Sequence, residues 1–257
     1  MSLWRSWAVA KQDLRLVARE PVPFLLATVM PLILMAFIKP AARASVLSPV
    51  NPHLNGAEQA VPGMTVMFGF LLAGAAGFNV FREHGWNTWN RLRTSHCTTT
   101  ELLLGKATAP VLMIATSGAV VLSVGSVLFD LRIRGSLWLL ALTAASLVLC
   151  ATTFTFMCVA RSRSVSHLNA FANIGALLFA GLGGALTPVN VMPDWAQTVA
   201  PVVPSYWLMR ASNNVIIDGA GFAETLPSLG IVLLFSTGFL IIASTGFKVS
   251  QRKASWV

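Results

Sequence analysis

Six stretches of this chain, residues 22–38, 62–81, 107–129, 137–160, 168–186 and 228–247, contain no Asp, Glu, Lys, Arg or His in their interiors. Crossing a bilayer takes about 20 consecutive, mostly apolar residues in a helix. In hydrocarbon every backbone N–H and C=O must find its partner within the segment, and a helix does that without help from neighbours. The pattern therefore predicts an all-α polytopic membrane protein with six transmembrane helices. Composition leaves little room for a water-soluble alternative: 55% of the residues are hydrophobic and 11% charged, against about 25% charged in a soluble domain.

The segments between the spans have their own character. In residues 1–20, Leu3, Trp4, Trp7, Ala10, Leu14 and Val17 recur at helical spacing, with Arg5, Lys11, Asp13, Arg15 and Arg19 on the other side. That is the pattern of an N-terminal amphipathic helix lying in the membrane interface, ended by Pro21 and Pro23. Ala41-Ala42-Arg43-Ala44 loosely resembles a signal-cleavage site. The long amphipathic segment before the first span and the further spans after it predict a retained span instead. Residues 39–61, with Pro40, Pro49, Pro52 and Asn55-Gly56, read as a turn-rich linker. Pro188, Pro193, Pro201 and Pro204 cut residues 187–227 into short pieces, and Trp195, Tyr206 and Trp207 suit a membrane surface. This segment is expected to form short outer interfacial helices. No internal repeat or separate soluble domain is visible, so residues 1–257 form a single transmembrane domain.

Charge sets the expected orientation. With six spans both termini share one side. Thirteen basic residues (Arg5, Lys11, Arg15, Arg19, Arg82, Arg91, Arg93, Lys106, Arg161, Arg163, Lys248, Arg252, Lys253) fall on that side, and five (Lys39, Arg43, Arg132, Arg134, Arg210) on the other. The positive-inside rule then places both termini in the cytoplasm and the chain in the cell membrane. The net charge of +9 is spread over span flanks rather than gathered in one patch, which favours contact with anionic lipid headgroups and argues against nucleic acid.

Several chemistries are excluded at this level. Cys97, Cys150 and Cys158 form no CxxC or Cys/His cluster, so packing rather than metal binding is expected. His167, at a span end, has no carboxylate nearby in sequence and reads as an interfacial histidine. Ion-coupled transporters usually carry ionisable residues within the membrane, and these spans have none. Gly105-Lys106 is the one place that approaches a P-loop, but Thr100 stands where its first glycine is required and Ala107 where Ser or Thr would bind magnesium. The chain is thus expected to be neither an enzyme nor an ATPase, with no cofactor of its own.

Within the spans, Gly69, Ala73 and Gly77 form one stripe of small residues, and Ala172, Ala176, Ala180 and Gly184 a second. Such stripes let helices approach closely. Residues 82–106 form the longest polar interruption on the cytoplasmic side. Trp86, Trp89 and Leu92 fall at three-residue spacing among Arg82, Glu83, Arg91 and Arg93, after Gly85. Thr98 and Glu101 match a capping box that opens the third span. Two readings of this helix–turn–capped-helix unit stand side by side: an interfacial loop anchored by tryptophans, and a stiff element that passes a push from a bound partner to two spans.

At these residues the chain resembles the type-2 ABC exporter permeases, the membrane subunits of daunorubicin-resistance-like, polysaccharide and nodulation-factor export systems. The matches are Arg82-Glu83, Gly85, Thr88, Arg91-Leu92 and Glu101 to Lys106. Residues 181–211 (with Pro193-Asp194-Trp195) and Pro62-Gly63-Met64 fit as well. The Gly and Thr that are often adjacent in that family are separated here by Trp86 and Asn87.

The resemblance implies an exporter subunit that moves a hydrophobic or amphipathic compound out of the cytoplasm. Two such subunits, identical or related, would pair and dock separate ATP-binding-cassette ATPases carrying ATP and magnesium. Arg82, Glu83, Gly85, Trp89, Arg91, Leu92 and Glu101 would belong to the coupling element. Spans two and five would line the pathway at the dimer axis, which makes Gly69, Ala73, Gly77, Asn79, Asn169, Asn173, Ala176, Ala180 and Gly184 pathway or interface candidates. Internal packing is the other reading of the same residues. The rival function is a non-transporting membrane anchor or assembly factor.

Overall fold

The arrangement comes from a computed structural model. It describes residues 21–46, 53–85 and 99–246 and positions 11, 15 and 19, with side chains over 21–45, 53–78 and 105–245. The expected interfacial helix over residues 1–20 otherwise lies outside the described residues. Among residues 21–246 the described α-helices are, in order, α1 (Val22–Val46), α2 (Ala57–Gly85), α3 (Thr99–Phe129), α4 (Leu137–Arg161), α5 (Val165–Leu182), α6 (Asp194–Val199), α7 (Pro204–Ile216) and α8 (Phe222–Gly246). Six of them, α1 to α5 and α8, are long and apolar enough to cross a membrane. No strand occurs among the described residues.

Helix α2 is the centre of the bundle. It packs against α1, α3, α4, α5 and α7. Within the chain, 78% of its most apolar stretch is buried, against 22% for each of α1 and α5. Glycines make the close approach possible. A Cβ on Gly69 would stand 3.3 Å from the Leu147 side chain of α4, one on Gly77 3.2 Å from Val159 of α4, and one on Gly74 3.2 Å from Ala172 of α5. Where α2, α4, α5 and α8 converge, four aromatic rings interlock. Phe70 meets Phe154 at 5.8 Å and Phe179 at 5.1 Å, both near edge-to-face, and Phe154 meets Phe239 at 5.6 Å. This geometry adds attraction beyond the buried area. On the other side of α2, the Thr28 hydroxyl of α1 donates to Ser117 Oγ of α3 at 3.1 Å, and Ser117 donates to the Ala27 carbonyl at 3.2 Å.

Several helix ends differ from the sequence expectation. Helix α1 runs past Lys39 and Pro40 to Val46, where a linker from residue 39 was expected. The turn beyond Pro40 is Ala41-Ala42-Arg43-Ala44, rich in good helix formers, and the Gly56 turn is pressed onto it. A Cβ there would lie 2.5 Å from the Lys39 carbonyl oxygen and 2.6 Å from Arg43 N. Gly56 adopts φ +90, which a glycine does at little cost.

Helix α2 starts at Ala57 rather than Pro62, because Asn55 and Glu58 form a capping box. Asn55 Oδ1 accepts from Ala57 N at 2.8 Å, while Glu58 Oε2 accepts from the backbone N–H of Asn55 and of Gly56, each at 3.1 Å. Helix α5 stops at Leu182, short of residue 186, where the chain turns through Gly183 and through Gly184 at φ +84. Helix α8 begins at Phe222, not residue 228, with the Gly221 N–H donating to Glu224 Oε2 at 3.2 Å.

The segment expected to hold short interfacial helices contains a 3-10 turn (Val189–Val191), α6, a second 3-10 turn (Ala200–Val202) and α7. At 13 residues, α7 is about 20 Å long, too short for a hydrocarbon core of about 30 Å. It is wedged into the bundle through Leu208, Ala211, Val215 and Ile216, all buried. Its last carbonyls are satisfied by the α3–α4 linker: Arg134 N–H donates to Ile216 O and Gly135 N–H to Val215 O.

Candidate functional site: the two ends of helix α2

Because α2 is one unbroken helix of 29 residues, about 43 Å from end to end, its two termini belong to one rigid body. Its C-terminal end leads into the expected coupling element. Arg82, Glu83 and Gly85 lie on the last turns of the α2 backbone and Glu101 on the first turn of α3. The side chains of Arg82, Glu83 and Glu101 lie outside the description, and Trp89, Arg91 and Leu92 lie outside the described residues altogether. Helix α3 begins at Thr99, one residue after Thr98, which is itself outside the described residues. Lys106, the last residue of the polar run, is 2% exposed and is therefore held inside the chain.

Both stripes of small residues are internal to one chain. Ala73 is fully buried, with Gly69 and Gly77 turned to α4. Ala172, Ala176 and Ala180 are buried as one face of α5, and Ala172 meets α2 at Gly74. Asn169 and Asn173 lie one position further round α5 and are exposed on the single chain, on a face shared with Ile174, Leu177 and Leu178. The two groups of α5 candidates thus differ: the alanines are buried and the asparagines exposed, Asn173 at the edge of the contact with α2, its Oδ1 3.6 Å from where a Cβ on Gly74 would stand. Neither asparagine has a hydrogen-bond partner among the described residues. The Asn79 side chain lies outside the description.

The N-terminal end of α2 carries polar residues that the sequence reading passed over. Glu58, 1% exposed, caps the helix through Oε2, while its Oε1 is buried with no hydrogen-bond partner among the described residues. Asn55 Nδ2 donates to the Asp130 carbonyl at 2.8 Å, and Lys39 Nζ to the Phe129 carbonyl at 2.8 Å. Lys39 Nζ also stands 5.9 Å from the Phe129 ring centre. One lysine of α1 and one asparagine before α2 thereby satisfy the C-terminal carbonyls of α3.

Gln59, 2% exposed, donates from Nε2 to the Gly184 carbonyl at 2.6 Å. One turn later, Gly63 lies so close to the Ala185 carbonyl that a Cβ could not fit between them. Gly183 is similarly closed in by the Ser205 side chain of α7, whose hydroxyl donates to Phe179 O. The signal for this cluster was present in Asn55-x-x-Glu58, which obeys the same logic as the Thr98–Glu101 box.

The arrangement offers mechanical connection rather than bond-making chemistry. Among the described residues no three His, Cys, Asp or Glu side chains gather to hold a metal ion. Comparison with known proteins agrees with the bundle's architecture. A family model described as ABC-2 type transporter matches residues 5–217. The chain is 22% identical over 212 residues to the linearmycin resistance permease protein LnrN of Bacillus subtilis (strain 168), covering 77% of this chain and 52% of that protein. It is 26% identical over 204 residues to the inner membrane transport permease YhhJ of Escherichia coli (strain K12), covering 77% and 54%. It is 28% identical over 213 residues to the probable multidrug ABC transporter permease YbhR of the same organism, covering 79% and 55%. The chain spans about half the length of these curated relatives.

Proposed function

The chain belongs to the ABC-2 type transporter family, and from that premise we propose that it is the membrane-spanning permease subunit of an ATP-driven exporter. Two copies, or one copy and a related permease, pair in the cell membrane with their termini in the cytoplasm. A separate ATP-binding-cassette ATPase docks on residues 82–106 and supplies the energy. The cargo is a hydrophobic or amphipathic compound. Relatives whose names speak of linearmycin resistance and multidrug transport support that class.

The observation that carries this reading is the continuity and burial of α2. A push on a loop moves a pathway only if it reaches a rigid element that other helices must follow. The described backbone of α2 runs unbroken into that loop at Gly85, and α2 touches five of the other helices. A second observation supports pairing. A polar side chain on a membrane helix is stabilised by facing protein or water rather than lipid tails. Asn169 and Asn173 are exposed on α5, and their side chains have no hydrogen-bond partner among the described residues.

The test is affinity purification of the tagged chain from its native membrane in gentle detergent with ATP present. Recovery of a P-loop ATPase in roughly equal amount supports the exporter. Recovery of the chain alone, together with unchanged efflux in cells lacking it, overturns the reading in favour of a membrane anchor.

A further inference from the structure

Near the outer end of α2, one buried polar side chain of the helix reaches the turn that follows α5. Gln59 is buried, and its amide donates at 2.6 Å to the carbonyl of Gly184 in the turn that follows α5. That turn is not free to give way. Gly183 is closed in by Ser205 of α7, Gly184 holds φ +84, and the Ala185 carbonyl rests on the backbone of Gly63. Residues 183–185 therefore sit between α2 on one side and α7 on the other, where α2, α5 and α7 meet. Any axial or tilting displacement of α2 must either carry this turn along or break a hydrogen bond in a buried place, where an unpaired amide and carbonyl are unfavourable.

We propose that Gln59 is a positioning residue for transport: its amide ties α2 to the turn 183–187, so that movement started at the coupling end of α2 is delivered to the outer segment. The proposal rests on the exporter reading and deepens it by naming where the movement leaves α2. Gly63 contributes by admitting the Ala185 carbonyl to the helix surface, which keeps the Gln59 side chain in reach of Gly184. The seat is specific for a donor of this length. Leucine or methionine fills the same space and supplies no N–H, which leaves the Gly184 carbonyl without the Gln59 amide.

The experiment uses the full chain with its ATPase in lipid nanodiscs. Thr187, exposed two residues beyond Ala185, is replaced by Cys, and its maleimide labelling rate is measured by peptide mass spectrometry, which separates it from the native cysteines. Rates are compared with ADP and with ATP plus vanadate. With Gln59 intact, a coupling of ordinary size appears as about a fivefold or larger difference between the two states. In Gln59→Met the difference is expected to collapse while ATPase recovery and ATP hydrolysis persist. Loss of bundle stability alone would lower all of these together. If Gln59→Met reduces the yield of assembled complex, Gln59→Leu is measured in its place.

An undiminished nucleotide-dependent difference in either variant overturns the proposal. So does the absence of any difference when Gln59 is intact. If no ATPase accompanies the unmodified chain, the exporter reading itself falls, and that result is seen before any variant is made.

Discussion

The ring of Phe154 on α4 occupies the place a side chain on Gly175 of α5 would need. A Cβ built on Gly175 lies 2.7 Å from the ring's Cζ. Phe154 also packs edge-on to Phe70 of α2, so this glycine sets how closely α5 approaches the aromatic centre of the bundle.

Gly175→Val is therefore expected to destabilise the chain by about 1–3 kcal/mol, the usual range for overpacking a filled core. The effect would be read as a lower melting temperature in detergent. Adding Phe154→Leu to Gly175→Val is expected to recover a large part of the loss, because the two sites share one space. Additive losses in the double variant would show that the ring is not what Gly175 accommodates.

Glu58 offers a second stability test. Its Oε2 accepts from two backbone N–H groups while the carboxyl is buried. Glu58→Ala leaves the buried Gly56 N–H unpaired, at a cost of about 1–3 kcal/mol, and the half-buried Asn55 N–H without its acceptor. Glu58→Gln keeps a carbonyl oxygen in the same place and is expected to lose less than half as much. Chemical unfolding in mixed micelles measures the difference. Equal losses in the two variants would mean that space filling, not capping, is what Glu58 provides.

The comparison of sequence and structure turns on such ends. The six apolar helices were legible because hydrocarbon forbids charges within a span, and the sequence has none there. Their limits were not. Pro40 falls in the expected linker, Pro62 at the expected start of the second span and Pro227 at the end of the expected interfacial segment, yet each lies inside a helix, since membrane helices tolerate proline where neighbours compensate. Gly184, counted as a continuation of the α5 stripe, takes a positive φ and ends the helix region. The stripes announced close packing but not the partner, because spacing fixes a face and not what lies opposite it. Gln59 carried no signal at all: its role depends on Gly184, which is 125 positions away in the chain.

The outward asparagines of α5 should act between chains rather than within one. Asn169→Leu with Asn173→Leu is expected to leave the melting temperature of the isolated chain nearly unchanged, because neither side chain has a hydrogen-bond partner among the described residues. The same double variant is expected to weaken pairing, by about 0.6 kcal/mol or more per lost interhelical hydrogen bond. Crosslinking and light scattering in detergent give the fraction paired. Wild-type pairing in the double variant would remove this face from the interface.

The coupling end of α2 separates function from folding most cleanly. Glu83 stands on the last turns of the α2 backbone, and Arg91 follows eight positions later in the sequence. If both serve the ATPase contact, Glu83→Ala with Arg91→Ala should leave expression and melting temperature close to those of the unmodified chain. Recovery of the ATPase should fall, as should stimulation of its hydrolysis. A charged contact across an interface also weakens with salt, so the unmodified complex is expected to lose ATPase as ionic strength rises, and the double variant should show a flatter dependence. Unchanged recovery and an unchanged salt profile would place the docking contact elsewhere and leave residues 82–106 as an interfacial loop anchored by its tryptophans.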